Sequence, residues 1–453
     1  MATRNVCITE VLDKNKVTSF QIWVLALCIF VTFLDGLDVA LIGVTLPRIA
    51  KFLHAAPGAL GMAVGASLAG PLIGALVLGT LADRFGRKKM LVISALLFGF
   101  FTLMTATITS VEQLALMRFL AGLGLGGAIP NALAYGCEFA PTRKRASFAT
   151  MMYAGMPLGS IPAGFLAAWL LPTHGWQPLY WVGGIPALVV AVLVALFLPE
   201  SLAFLVRQGT DKSQIRKIVA KLSPAFAADK NTEFYTDEQK LPGVPVKHLF
   251  TEGRAFTTVS VWVLFFLSFY LIWMMLAWVP TLLGKSGATV QQSSYAYAFI
   301  GVGSFIATIT VGRLIDRFDR FRVVAIMFVI AFVAMGAFGI MAKGSFIIVA
   351  ALAFICGLFV FGTNSGCLAI CTISYPVSVR GSGIGWAYAV GKLGSMTAPA
   401  VGGVLLGWNW SVGRICVVNG LAGVVAAIVL LILGWHTARH KAVQEGVPAV
   451  ALV

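Results

Sequence analysis

Long apolar stretches alternate with short polar segments along the chain, and the polar segments hold most of the charged residues. A helix needs about 20 apolar residues to cross the core of a bilayer. The stretches with little or no charge are 17–47, 52–82, 90–111, 113–137, 146–199, 255–284, 286–312, 323–342, 344–379, 381–413 and 415–438. The stretch 146–199 is long enough for two helices and is interrupted by Pro172-Thr-His-Gly175. The pattern therefore predicts twelve transmembrane helices, numbered here as spans one to twelve.

The composition excludes a soluble protein. Of the 453 residues, 59% are hydrophobic and 11% are charged, whereas soluble domains contain about 25% charged residues. The seven cysteines form no C-x-x-C pair, so they indicate neither a disulfide framework nor a metal site. We expect an all-α integral membrane protein that holds no metal and needs no cofactor.

The net charge of +16 is distributed as in a polytopic membrane protein, because the basic clusters lie between the apolar stretches. If the N-terminus is cytoplasmic, only five basic residues fall in the segments on the opposite side: Arg48, Lys51, Lys285, Lys343 and Arg414. We therefore expect both termini to be cytoplasmic, and we expect no nucleic-acid partner. Residues 1–20 are polar and do not resemble a cleaved signal peptide.

One large polar segment divides the spans into six and six. We predict an N-terminal six-helix bundle at 1–199, a cytoplasmic central loop at 200–254, and a C-terminal six-helix bundle with a short cytoplasmic tail at 255–453. The loop contains an amphipathic stretch at 211–222, which we expect to lie along the cytoplasmic face. We interpret the loop as a connector and not as a catalytic domain.

The two halves repeat a charged motif. The segment 79–89 follows span two, and 312–322 follows span eight with matching Gly, Leu, Asp, Arg and Phe at an offset of 233 residues. An offset of 235 carries Arg145 onto Arg380. Two repeats of the same orientation predict two pseudo-symmetric six-helix bundles around an axis along the membrane normal, with a substrate site between them.

These motifs resemble a known family. The segment 79–89, G-T-L-A-D-R-F-G-R-K-K, resembles the signature loop of the major facilitator superfamily, and 118–126 resembles its R-x-x-x-G-x-G-x-G motif. Within that superfamily, Asp35-Gly-Leu-Asp38 is similar to the D-G-x-D motif of the aromatic acid:proton symporters, and Leu198-Pro-Glu-Ser201 fits that family. The resemblance implies the major facilitator fold, an inner (plasma) membrane location and a monomer. It also implies proton-coupled uptake of a small aromatic carboxylate, such as a hydroxybenzoate or benzoate.

Other transport functions stay open as alternatives: the proton-coupled transport of a sugar or of another organic acid, or drug export. The sugar-porter motif Q-Q-x-S-G is absent from span seven, and 155–164 only partly resembles the G-x-x-x-G-P-x-x-G-G motif of drug exporters. No G-x-x-x-x-G-K-[ST] motif occurs, so ATP is not expected to drive this chain. A membrane-embedded enzyme or a chemoreceptor would need a catalytic cluster or a large soluble domain. Neither is visible, so we expect no enzymatic activity.

Asp35 and Asp38 are the candidate proton-coupling residues. They are three residues apart in span one, so they share a helix face with Cβ atoms about 5–6 Å apart. Intramembrane carboxylates are costly and usually functional, and like-charge repulsion opposes the ionisation of both. Which of the two carries the proton is open, and a neutral structural pair is the alternative.

Arg118 and Lys392 are the cations embedded in spans, and we expect them to contact the substrate carboxylate. Arg118 could instead pair with an Asp of span one, and Lys392 stands where the symporter family usually has Arg. Four polar or aromatic residues of spans four and eleven are further candidate substrate contacts: Asn131, Tyr135, Trp386 and Tyr388.

Charged residues near helix ends are predicted to form gates, in which an acid pairs with cations of a neighbouring span and locks one conformation. These gating candidates are Asp83, Arg84, Arg87, Glu138, Arg145, Asp316, Arg317 and Arg380.

Overall fold

The computed structural model describes residues 4–13, 17–208, 212–223, 232–235, 246–251, 253–375 and 377–444. Within these ranges, twelve helices are long and apolar enough to cross a membrane, which confirms the number predicted from the apolar stretches. Spans one to six are Ser19–Phe52, Pro57–Ser67 with Ala69–Phe85, Arg87–Thr105, Val111–Glu138, Arg145–Thr173 and Gln177–Phe197. Spans seven to twelve are Ala255–Lys285, Val290–Arg317, Arg320–Ile340, Phe346–Ser374, Val377–Gly407 and Val412–Gln444.

Span two is interrupted at Leu68, so that it consists of two helical pieces. Pro71 follows within the next turn. Proline has no amide hydrogen, so it cannot donate to the carbonyl four residues earlier, which belongs to Ser67. The interruption therefore lies where the sequence removes a helical hydrogen bond.

The glycine run of span four lets neighbouring helices approach closely. A Cβ built on Gly122 would lie 2.6 Å from Pro71 Cδ of span two, and one on Gly126 would lie 2.1 Å from the Pro71 carbonyl oxygen. On another face, a Cβ on Gly124 would lie 2.5 Å from the Phe98 amide nitrogen of span three. The run is therefore a helix-packing surface, as small residues in membrane spans commonly are.

The chain divides into two compact units. The first contains Met1–Val39, Ser67–Ser160 and Gln177–Lys240, and the second contains Ala40–Ala66, Ile161–Trp176 and Leu241–Val453. Spans one, two and five therefore contribute residues to both units, and the units differ from a simple division at the central loop. Within the second unit, a Cβ on Gly43 of span one would lie 2.1 Å from the Leu276 carbonyl oxygen. The predicted division into 1–199, 200–254 and 255–453 stays a prediction.

A small sheet departs from the all-α expectation. Strand β1 (Arg4–Cys7) pairs in parallel with strand β2 (Thr232–Tyr235). Strands of four residues carry too little alternation to be recognised in the sequence. The remaining elements are the helices Ile8–Asp13, Leu202–Arg207 and Lys212–Leu222 and the 3-10 turns Thr142–Lys144 and Val246–Leu249.

The amphipathic stretch of the central loop is helical, as its pattern predicts. Its apolar side chains are buried along one face of the helix Lys212–Leu222: Ile215, Ile218, Val219 and Leu222. Its lysines at 217 and 221 are exposed.

Candidate functional site

A buried ion pair joins span one to span four in the first unit. Asp38 has no exposed surface, and Arg118 is 8% exposed. Arg118 Nη1 donates to Asp38 Oδ1 at 2.9 Å, and Nη2 donates to Oδ2 in a second, close hydrogen bond. This is the bidentate arrangement in which an arginine holds a carboxylate most specifically. Arg118 thus pairs with an Asp of span one, one of the two roles that its sequence position suggested.

Two further residues, which the sequence did not indicate, contact this ion pair. The Thr102 hydroxyl of span three donates to Asp38 Oδ1 at 3.1 Å. Arg118 Cζ lies 5.9 Å from the centre of the Tyr180 ring of span six, within the range of a cation–π contact. Neither residue has a sequence signal, because a lone Thr or Tyr in an apolar helix is most often a packing residue.

Asp35 belongs to the same charged cluster. It is 5% exposed, and its carboxylate acts electrostatically on Arg118. Asp38 binds the guanidinium and Asp35 acts on it electrostatically, so full ionisation would leave the buried cluster with one negative charge. A single proton makes it neutral, which is favourable where charge is poorly solvated. The arrangement is chemically suited to binding and releasing a proton.

Gly36 lies between the two aspartates and allows span five to approach. A Cβ at this position would lie 1.7 Å from the Met156 carbonyl oxygen, a distance that no side chain tolerates. Four residues earlier, the Thr32 hydroxyl donates to the Met152 carbonyl at 2.6 Å. The D-G-x-D sequence therefore combines its two acids with the close helix contact that holds them in place.

The geometry favours structural roles for two predicted substrate contacts of span four. The Asn131 side-chain amide donates to the Gly127 carbonyl at 2.8 Å, and the Tyr135 hydroxyl donates to the Pro199 carbonyl at 2.7 Å. Both side chains are buried. These hydrogen bonds give both residues a role in helix packing, and their contact with the substrate stays a prediction.

Lys392 lies beside aromatic rings in the second unit. Its Nζ is 5.8 Å from the centre of the Phe269 ring in span seven. The Tyr388 ring packs edge-on against Phe269 at 5.7 Å and against Phe265 at 5.2 Å. We call Phe265, Phe269 and Tyr388 the aromatic cluster. A cation beside ring faces and edges matches the chemistry of an aromatic carboxylate, and the structure places the predicted Tyr388 in that setting.

Trp386 has different neighbours. It is 43% exposed and stacks on Trp262 with ring centres 6.0 Å apart. This exposed pair favours a surface role over the predicted substrate contact. Phe269, which sequence reasoning missed, makes the ring contact with Lys392 instead. One phenylalanine among the 32 in the chain carries no signal of its own.

Two of the gating candidates, Arg87 of span three and Glu138 of span four, form an ion pair, and their gating role stays a prediction. Arg87 Nε lies 2.6 Å from Glu138 Oε1, and the Ser201 hydroxyl donates to Glu138 Oε2. Glu200 Oε1 accepts hydrogen bonds from the backbone amides of Lys88 and Ser201, each at 2.9 Å. The Leu-Pro-Glu-Ser sequence after span six thereby fastens the first turn of span three.

The remaining gating candidates are divided between the two units. Arg84 and Arg317 occupy matching positions of the repeat, and each guanidinium lies over the ring of the next residue, at 5.4 Å from Phe85 and 5.8 Å from Phe318. Arg145 is half-buried at the start of span five. The side chains of Asp83, Asp316 and Arg380 lie outside the described residues, and their gating role stays a prediction.

No metal site is evident in the part of the chain that the structure describes, where no group of three or more His, Cys, Asp and Glu could hold an ion. That protons are the coupling ion, with no cofactor, stays a prediction. The acids that could exchange a proton with the transport site are Asp35 and Asp38.

Comparisons with known proteins identify the family. A family model described as Major Facilitator Superfamily matches residues 28–371 and 261–451. The 4-hydroxybenzoate transporter PcaK of Acinetobacter baylyi is 34% identical over 90% of both chains. A gallate transporter of Pseudomonas putida is 31% identical over 93% of this chain and 94% of its own. A benzoate transport protein of Acinetobacter baylyi is 30% identical over 90% of this chain and 87% of its own.

The fold agrees with solved structures. The xylose transporter XylE of E. coli matches with a TM-score of 0.69 and 19% identity over 91% of this chain and 98% of its own. These relatives and neighbours are membrane transporters, not enzymes. The resemblance inferred from 79–89 and from the D-G-x-D motif is thereby confirmed. With its twelve apolar helices, this multi-pass membrane protein belongs to the major facilitator superfamily.

Proposed function

We propose that the protein carries a small aromatic carboxylate inward together with a proton. The observation that carries the proposal is the buried bidentate pair of Asp38 and Arg118, with Asp35 beside it. The relatives supply the substrate class, because their names specify 4-hydroxybenzoate, gallate and benzoate. Each of these substrates joins a carboxylate to an aromatic ring.

Protonation of Asp38 would couple the two ions. A neutral carboxyl no longer holds the guanidinium as an ion pair, so the bidentate donors of Arg118 become available. Once Asp35 holds a proton, protonation of Asp38 leaves the buried Arg118 charge without its partner, which costs about 3–5 kcal/mol. An anionic substrate that arrives with the proton offsets this cost, whereas the proton alone does not. Such mutual dependence is the requirement for symport.

In the second unit, Lys392 and the aromatic cluster also have the chemistry that an aromatic carboxylate needs. Lys392 offers a positive charge to the carboxylate, and the rings of Phe269 and Tyr388 offer faces and edges to an aromatic ring. A sugar has no charge to pair with Lys392 and no aromatic ring to pack against Phe269 and Tyr388. This chemistry favours an aromatic acid over the sugar and drug alternatives.

The membrane location and orientation belong to the same proposal. We place both termini in the cytoplasm, because most Lys and Arg residues then face the cytoplasm. The inner (plasma) membrane and the monomeric state are expected from the family resemblance. A green fluorescent protein fused after Val453 should fluoresce, since that reporter folds in the cytoplasm. A dark fusion that is nevertheless produced at full length would contradict the orientation.

Uptake by the purified protein in proteoliposomes tests the function. Labelled 4-hydroxybenzoate should accumulate above its external concentration when the lumen is alkaline, and a protonophore should abolish the accumulation. Labelled xylose under the same gradient is the control for the sugar alternative. Accumulation of xylose, or entry of the acid that a pH gradient does not change, would contradict the proposal.

A further inference from the structure

Span ten carries a side-chain amide whose nitrogen is unpaired. Asn364 is half-buried, and its side-chain nitrogen is buried and, among the described residues, has no hydrogen-bond partner. The amide of Asn419 in span twelve shows the usual arrangement. Its nitrogen donates to the Ile415 carbonyl at 2.7 Å, and its oxygen accepts from the Tyr270 hydroxyl. A buried polar group without a partner is costly, so the Asn364 amide calls for a partner from outside the chain.

Spans ten and eleven meet span seven at one level of the second unit. The hydroxyls of Thr363 in span ten and Ser268 in span seven are hydrogen-bonded at 3.2 Å. On span eleven, a Cβ built on Gly394 would lie 2.2 Å from the Phe266 carbonyl oxygen of span seven. Lys392 lies two residues before this glycine. The unpaired amide, next to the hydroxyl contact, and the lysine, next to the glycine contact, therefore lie at about the same depth.

Two rings of the aromatic cluster cover the face of span seven between these contacts. An α-helix turns by about 100° per residue, so Ser268 and Phe266, which are two residues apart, lie on nearly opposite sides of the helix. Phe265 and Phe269 lie between them on one side. Tyr270, which binds span twelve, lies on the other side. The two phenylalanine rings therefore face away from span twelve.

Asn364 faces the same side of the second unit as these rings. A Cβ on Gly366 would lie 2.5 Å from Val324 Cγ2, so this face of span ten packs on span nine. Asn364 is two residues earlier and lies on nearly the opposite face. Span nine in turn packs on span twelve, because a Cβ on Gly339 would lie 2.4 Å from Cys416 Cβ. The amide and the rings of span seven thus both face away from the packed pair of spans nine and twelve.

We propose, on the basis of the function proposed above, that the Asn364 amide binds a ring hydroxyl of the substrate and selects hydroxylated aromatic acids over benzoate. With the carboxylate at Lys392 and the ring against span seven, the hydroxyl of 4-hydroxybenzoate points away from the lysine and towards span ten. A phenolic hydroxyl both donates and accepts, so it suits either atom of the amide. Benzoate leaves the amide unpaired. A site built around a substrate hydroxyl rejects the analogue that lacks it.

Calorimetric binding of 4-hydroxybenzoate and of benzoate to the purified full-length protein tests the proposal. The parent should bind 4-hydroxybenzoate about tenfold more tightly than benzoate, or better. Asn364→Leu has a similar shape but no amide. It should weaken 4-hydroxybenzoate binding by about tenfold and leave benzoate binding unchanged. Because this variant removes an unpaired buried group, it should melt without ligand at the parent's temperature or above. The smaller Asn364→Ala should show the same loss of preference.

Asn419→Leu is the matched control, because it removes a buried amide that is already paired within the protein. It should lower the melting temperature and change the binding of both acids by the same factor. An unchanged preference for 4-hydroxybenzoate in both Asn364 variants would overturn the selective role of Asn364 and leave the proposed function standing. An equal loss of preference in Asn419→Leu would also overturn that role. A parent that binds neither acid would refute the proposed function itself, and the role of Asn364 with it.

Discussion

Replacing Asp38 with asparagine tests the coupling mechanism at its centre. The Asp38 carboxylate accepts two hydrogen bonds from Arg118 and one from the Thr102 hydroxyl, and all three hydrogen bonds are buried. An asparagine has nearly the same shape, but it offers a single acceptor oxygen. Its amide group would face one of the guanidinium donors. The variant keeps the volume of the site and loses its exchangeable proton.

The expected magnitude follows from the loss of the charge partner. Removing one member of a buried pair typically costs about 3–5 kcal/mol, because the other charge stays buried without compensation. Asp35 acts on the same guanidinium and is expected to keep the cost near the lower end of that range. The double variant Asp38→Asn with Arg118→Gln removes both charges. It should therefore recover most of the lost stability.

Transport assays distinguish a loss of proton coupling from a loss of stability. Asp38→Asn should insert in the membrane and should still exchange labelled for unlabelled substrate, yet fail to accumulate it under a pH gradient. The double variant should regain thermal stability in detergent without regaining accumulation. If Asp38→Asn concentrates substrate against its gradient, then Asp38 does not carry the coupled proton, and Asp35 becomes the candidate.

Three further substitutions test packing, gating and substrate binding. Gly36→Ala should sharply reduce the yield of folded protein, because the added Cβ would meet the span-five backbone at 1.7 Å. Gly79→Ala is the matched control, because a Cβ at that position would have no atom within 4 Å. Equal yields of the two variants would refute the packing argument. Glu138→Gln should slow transport turnover with little change in substrate affinity, because it weakens the 2.6 Å contact with Arg87. A loss of substrate affinity at normal turnover would contradict a gating role. Lys392→Arg should preserve binding of the aromatic acid in calorimetry, and Lys392→Met should abolish it. Binding of the neutral amide analogue of the acid distinguishes the effect of charge from that of packing. Tight binding of the acid by Lys392→Met would refute the carboxylate contact.

The membrane architecture could be predicted because one physical quantity determines it. The thickness of the bilayer fixes the length of an apolar stretch, so the helix count needs no knowledge of packing. Arg87 and Glu138 could be proposed as gating candidates because both are charged residues at the ends of apolar stretches. Asp35 and Asp38 were identifiable because a charge inside an apolar stretch is costly. In each case the signal is local in the sequence.

Hydrogen-bond partners could not be predicted where they lie far apart in the sequence or carry no sequence signal. Asn131 is predicted to contact the substrate, and the structure adds a bond from its side-chain amide to the carbonyl four residues earlier on its own helix. Tyr135 finds its partner 64 residues away at Pro199. Thr102 and Phe269 became candidates only once helix packing brought them to Asp38 and Lys392. A pattern of apolar and polar residues identifies which groups need a partner, but not which partner they find.

Span four connects the coupling pair to the gating pair. Glu138 follows Arg118 by 20 residues on this helix, which corresponds to about 30 Å and so to the thickness of the bilayer core. Asp38 holds the helix from span one, and Arg87 holds its end from span three. We expect protonation to release the first contact while the second persists, so that the helix pivots about its fastened end. On this hypothesis, the order in which the two pairs open makes protonation a conformational signal.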